Sequence, residues 1–142
     1  MSTRTFALVF GVVFLLVGIA GFVPGLLQPM HGEHPRLAVD AFSGQVLGLF
    51  PVNILHNIVH ILFGIWGLLS YKSLGAAKGY AKGVAIIYGV LTIAGLVPGL
   101  NTMFGLVPLY GNDIWLHALL ALVAAYFGWM HRDVASTTTT HV

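Results

Sequence analysis

Cysteine is absent, which excludes disulfides and thiolate chemistry. Charge is scarce. Lys, Arg, Asp and Glu together make up 7% of the 142 residues, against about 25% in an ordinary soluble domain. Four long apolar runs hold no Lys, Arg or Glu at all: Phe6–Val23, Val52–Tyr71, Val84–Val97 and Ile114–Met130. A basic stripe is also missing. Six basic residues are scattered at the ends of these runs, so nucleic acid is not an expected partner. There is no glycine-rich phosphate loop and no nucleophile elbow. A zinc-protease HExxH is absent too, because Asn57 stands where that motif needs its glutamate. The expectation is a non-enzymatic protein with no catalytic residue.

What the chain does have is apolar length. Each run approaches the ~20 residues needed to cross a hydrocarbon core of about 30 Å. Backbone groups in lipid must be satisfied within their own segment, so the expected fold is all-α, with four transmembrane helices in one domain, 1–142. Arg4, Lys72, Lys78, Lys82 and Arg132 fall on one side of such a bundle, and Arg36 alone on the other. The positive-inside rule then puts both termini and the Lys72–Lys82 loop in the cytoplasm of a bacterial cell, with the protein in its inner (plasma) membrane. The 27–50 and 98–111 loops face outward. Trp66, Trp115, Trp129, Tyr71, Tyr110 and Tyr126 mostly lie toward span ends and read as an interfacial belt. Arg4 before an apolar run resembles a signal peptide, but the first span has a copy further on and reads as a retained helix. The tail, about 134–142, is polar and expected to be disordered; His141 within it reads as incidental.

That copy is the second positive feature. Val17–Leu26 (VGIAGFVPGL) recurs at Leu91–Leu100 (LTIAGLVPGL), and Gly48–His60 (GLFPVNILHNIVH) aligns without a gap on Gly105–His117 (GLVPLYGNDIWLH). The chain reads as two parallel helix–loop–helix repeats, about 5–71 and about 80–131, related by a pseudo-two-fold along the membrane normal. Twenty-one residues separate Leu26 from Gly48 but four separate Leu100 from Gly105, so the first copy carries a 17-residue insertion. It holds His31, Glu33, His34, Arg36 and Asp40, and could fold over a site.

The alignment sets His56 opposite Asp113 and His60 opposite His117. Residues four apart share a helix face, so His56 and His60 form one stripe with Asn53, continued by Gly64 and Gly67. Asp113 and His117 form another, continued by Ala121 and Gly128. Ionisable groups inside apolar spans face other helices rather than lipid. Three chemistries fit. His56, His60, Asp113 and His117 could hold a transition metal, with Asn53 and Asn57 as supporting partners. His60 and His117 could be axial ligands to a haem. The histidines and Asp113 could form a proton relay, because histidine titrates near neutral pH. Interhelical hydrogen bonds can also simply hold a bundle together, typically for about 0.6 kcal/mol. Four short helices enclose little volume, so a homo-oligomer or a larger membrane complex is the expected assembly within the lipid bilayer.

The repeated AGxVPG, the GLxP turns and PVNILHNIVHILFGIWGL (Pro51–Leu68) resemble a bacterial four-span membrane family of unknown function, domain of unknown function 4383. The likeness covers about Thr5–Arg132. It implies four spans and small size but no activity, so it carries over no site residue. The layout is also loosely similar to DoxX-like four-helix membrane proteins, some linked to quinone or respiratory chains. The leading functional expectation is a metal- or haem-binding protein of a membrane complex. The alternatives are a proton-coupled or quinone-linked transporter-like protein and a structural accessory subunit.

Overall fold

The computed structural model describes residues 1–133; the tail 134–142, including His141, lies outside the described residues. Four helices dominate: α1 (Thr3–Ala20), α2 (Ile54–Ser70), α3 (Leu74–Leu96) and α4 (Asn112–Ala125), the last continuing as one wide π-helical turn, Tyr126–Met130. Local chemistry sets the starts. The hydroxyls of Ser2 and Ser73 accept from the backbone N–H groups of Thr5 and Ala76, and the Asn53 side-chain Oδ1 accepts from His56 N–H. Each satisfies a donor that a helix N-terminus leaves unpaired. Pro24 and Pro98 follow the ends of α1 and α3, where a proline halts further helix.

Three helices are long and apolar enough to cross a membrane: α1, α3, and α4 with its π turn. α2 is apolar but has 17 residues, about 25 Å at 1.5 Å per residue. α3 begins earlier than the apolar run at Val84 suggests, and ahead of the repeat boundary near 80. It starts at Leu74, so Lys78 and Lys82 stand on the helix and not in a loop, and Tyr71–Ser73 alone join α2 to α3. Hydropathy falls at these lysines while helix propensity does not, and their aliphatic stems can lie along apolar surface. Lys82 does so, with its ammonium 5.7 Å from the Trp129 ring centre.

α1 packs closely on α2 through glycine. Gly11 faces Gly64 and Gly67, where backbones meet with no room for a methyl group. α3 packs on α4 in the same antiparallel way, and α1 meets α3 through aromatic pairs. Phe6 lies 6.3 Å from Tyr80 and Phe14 lies 5.3 Å from Tyr88, ring centre to ring centre. These rings, with Val84 and Phe127, form the hydrophobic core. The outer faces carry exposed Val12, Leu16, Ile86, Val90, Ile93 and Leu122, as helices bathed in hydrocarbon do.

The long loop between α1 and α2 holds structure that hydropathy did not suggest. Three short antiparallel strands, β1 (Leu27–Gln28), β2 (Gly44–Val46) and β3 (Phe50–Val52), form a meander at the end of the bundle where α1 stops and α2 begins. Two turns in this region match. Leu47-Gly48 and Phe104-Gly105 are both left-handed pairs, with φ of 55° and 70° in the first and 57° and 89° in the second. In each, the N–H of the glycine and of the next residue reach back three residues to a carbonyl.

Candidate metal centre

α2 turns His56, Asn57, His60, Gly64 and Gly67 inward, and α4 turns in Asp113, His117 and Ala124. All the ionisable members of the two predicted stripes are therefore buried. His56, His60 and His117 come together: one ring nitrogen from each lies within 4.8 Å of the others. The His56 and His60 ring centres are 4.5 Å apart, and those of His56 and His117 are 6.1 Å apart. Asp113 approaches from the first turn of α4. Its Oδ2 lies 3.7 Å from His56 Nδ1, with both side chains almost fully enclosed. The other predicted ligand therefore reaches the trio through one of its members.

The trio is under-satisfied. Nδ1 of His56, His60 and His117 and Oδ2 of Asp113 are buried and have no hydrogen-bond partner among the described residues. Buried polar atoms are nearly always paired, because an unpaired one forfeits its hydration for nothing. Four such atoms lie together at this one place.

The two asparagines play different parts. Asn53 does not support an imidazole ring. It caps α2, and its amide donates to Val39 O at 2.9 Å and Leu106 O at 2.7 Å, tying the long loop and the α3–α4 connection to the start of α2. Asn57 is wholly buried against Gly21, where the absence of a side chain makes room for it, and neither of its amide atoms has a hydrogen-bond partner among the described residues. His31 and His34 stay exposed, away from the trio. The part of the insertion that reaches the second connection is Ala38–Val39, whose N–H groups donate to Gly105 O.

Sequence reasoning passed over Tyr88. Its ring meets His117 edge to face at 4.9 Å, as the Phe14 ring lies beside His60 at 5.7 Å. The alignment that pairs His60 with His117 was a usable signal, because the parallel offset pairs Phe14 with Tyr88. Tyr110, taken for a belt residue, has a buried hydroxyl with no partner among the described residues. Burial first, and the nearby Asp113 carboxyl second, push its phenol above the ordinary value.

Two apolar clefts flank the trio, and both reach His60 and His117. One, of about 220 Å³, lies between α1 and α4 and is walled by Phe10, Phe14, Phe50 and Leu120. The other, of about 150 Å³, lies between α2 and α3 under the 103–109 segment and also touches His56.

The chain belongs to the family described as Domain of unknown function (DUF4383), which matches residues 4–130. No curated protein and no solved structure matches it.

Proposed function

We propose that this chain is a four-span protein of a bacterial plasma membrane, with both termini cytoplasmic, whose outward half binds a transition-metal ion on His56, His60 and His117. One observation carries the reading: three imidazoles converge within 4.8 Å inside an apolar bundle, each with a buried nitrogen left unpaired. Zinc–imidazole bonds of about 2.0–2.1 Å put the nitrogens of a tetrahedral site about 3.3 Å apart, so the trio needs to close by roughly 1.5 Å on an ion. Imidazole suits zinc, copper, iron and nickel. Asp113 then acts on His56 in the carboxylate–histidine–metal manner, fixing the tautomer and orientation of that ring.

Two features support the parallel-repeat architecture with its axis along the membrane normal. The α1–α3 contacts Phe6–Tyr80 and Phe14–Tyr88 each join residues that the alignment equates. The two clefts use equated residues as well: Val17 and Leu91, Phe50 and Val107, Leu116 and Val59. α2 completes the four spans if the membrane thins locally or its flanking polar groups reach the interface. A haem finds less support than an ion. The clefts lie on opposite sides of the histidines, and Phe14 and Tyr88 pack beside the two rings that would have to face a macrocycle.

The test is metal content of detergent-purified protein after titration with Zn(II) and Cu(II), for wild type, His60→Ala and His117→Ala, with circular dichroism to check folding. The expected result is about one ion per wild-type chain and loss of it in both variants. A folded wild type that takes up neither ion overturns the proposal. The His56–Asp113 contact also favours a second reading, a proton relay along Asp113, His56 and the other two rings. In that case Asp113→Asn abolishes pH-driven proton movement in proteoliposomes while metal content stays near zero throughout.

A further inference from the structure

The 220 Å³ cleft between α1 and α4 is more than a packing defect beside the histidines. Its rim is Val9 and Val13, both over 40% exposed on the apolar outer face of α1, the face a membrane-spanning helix offers to lipid. Its floor is His60 and His117, each more than nine-tenths buried, each with an unpaired Nδ1. Phe10, Phe14 and Phe50 supply aromatic walls. No charged side chain lines it.

We infer that this cleft admits a lipid-soluble molecule with a flat ring bearing a carbonyl, of the quinone class, which enters sideways from the bilayer and accepts a hydrogen bond from His60 or His117. Each part of the chemistry follows from a wall. An opening that faces hydrocarbon selects ligands that partition into lipid. A lining without charge rejects ions, since an unpaired charge in an apolar site is costly. Aromatic faces suit a flat ring, which stacks offset or edge-on against them. Neutral imidazole keeps one ring N–H, and a carbonyl oxygen is its natural acceptor. The volume lies below the range of about 300–1,000 Å³ usual for drug-sized ligands, so one ring enters and any tail stays among the lipid chains. The cleft on the other side of the trio is smaller, and Tyr88 stands there where the first has Phe14. The inference uses the same histidines as the metal proposal but needs no ion.

The experiment titrates chelator-treated, detergent-solubilised protein with decylubiquinone and follows quenching of tryptophan fluorescence. Wild type should quench saturably. Val13→Phe, which fills the rim of this cleft, and His117→Ala, which removes a floor donor, should each weaken binding about tenfold or more. Val59→Phe at the rim of the opposite cleft should leave affinity within about twofold, as a change outside the site does. His117→Gln keeps an N–H donor and should recover part of the affinity. Absence of saturable quenching in wild type overturns the inference, as does undiminished binding in Val13→Phe. Binding that Val13→Phe abolishes but that survives both His60→Ala and His117→Ala would mark a groove for acyl chains and overturn the carbonyl assignment. Because the protein is metal-free, failure here leaves the metal proposal standing, and failure of metal binding leaves this result intact.

Discussion

Replacing Gly67 with alanine should separate α1 from α2. A methyl group at Gly67 would lie 2.7 Å from Gly11 Cα, 2.8 Å from Ala7 O and 2.9 Å from the Tyr80 hydroxyl. Ordinary contact begins near 3.4 Å, so the two backbones must part by about 0.7 Å, the shortfall at Gly11. Two of the three obstacles are α1 backbone and cannot swing aside. Overpacking of this kind costs typically about 1–3 kcal/mol. Alanine also favours helix over glycine by about 1 kcal/mol, which partly masks that cost. Gly79 is the control, because a methyl there meets nothing within 4 Å and shows the helix gain alone. The quantity to read is the difference in Tm between Gly67→Ala and Gly79→Ala in the same detergent. At about 2–4 °C per kcal/mol, it should be several degrees, with Gly67→Ala the lower. Gly11→Ala should be similarly harmful, and the double variant should lose less than the sum, since one separation accommodates both methyls. Equal Tm values for the Gly67 and Gly79 variants, with additive losses in the double, would refute the close-seam account of how α2 is held.

Asn53→Ala removes a helix cap and two part-buried hydrogen bonds. It should destabilise the protein by about 2–4 kcal/mol in denaturant titration. Asn53→Asp keeps the cap but points carboxylate oxygens at the Val39 and Leu106 carbonyls, so it should be no better. At the opposite end, Asp133 accepts from both the N–H and the hydroxyl of Thr3, each at 2.7 Å. Burial alone would raise its pKa, but the Thr3 hydrogen bonds, with His131 and Lys78 nearby, outweigh burial and hold it below the ordinary carboxylate value. Its contribution is therefore present above the ordinary carboxylate range and is lost as pH falls through the lowered value. The Tm gap between wild type and Asp133→Asn should be open at pH 7 and close in strong acid; a gap that widens in acid would contradict this. Asn57→Leu should lower Tm if the buried amide serves the centre, and raise it if the amide is merely unpaired.

Much of the bundle was legible because lipid imposes simple rules. Apolar runs marked the helices, and four-residue spacing put His56 with His60 and Asp113 with His117 on inward faces. The echo between Gly48–His60 and Gly105–His117 suggested that the stripes would meet. What stayed hidden depends on tertiary choice. Asn53 and Asn57 look alike in sequence, yet one became a cap and cross-loop tie while the other packs on Gly21. The start of α3 was obscured because hydropathy measures solvent preference, whereas helix formation at Gly75–Lys82 depends on the Ser73 cap and on packing. The short strands were invisible because two- and three-residue segments carry no period to detect. Tyr88 was missed because a tyrosine in an apolar run looks like core until a histidine is seen beside it.

The Asn53 amide donates to Leu106 O beyond α3, and the Asn112 amide donates back to Leu49 O before α2. During synthesis the first hairpin leaves the ribosome before its partner exists. Until α3 and α4 follow, one Asn53 bond and the Leu49 carbonyl have no mate, and His56 and His60 have no His117. The early hairpin is thus incomplete by itself, with its α2 start tied only to its own loop. For the same reason, two fragments divided at the short Tyr71–Ser73 connection and made together in one membrane carry complementary polar ends by which to find each other.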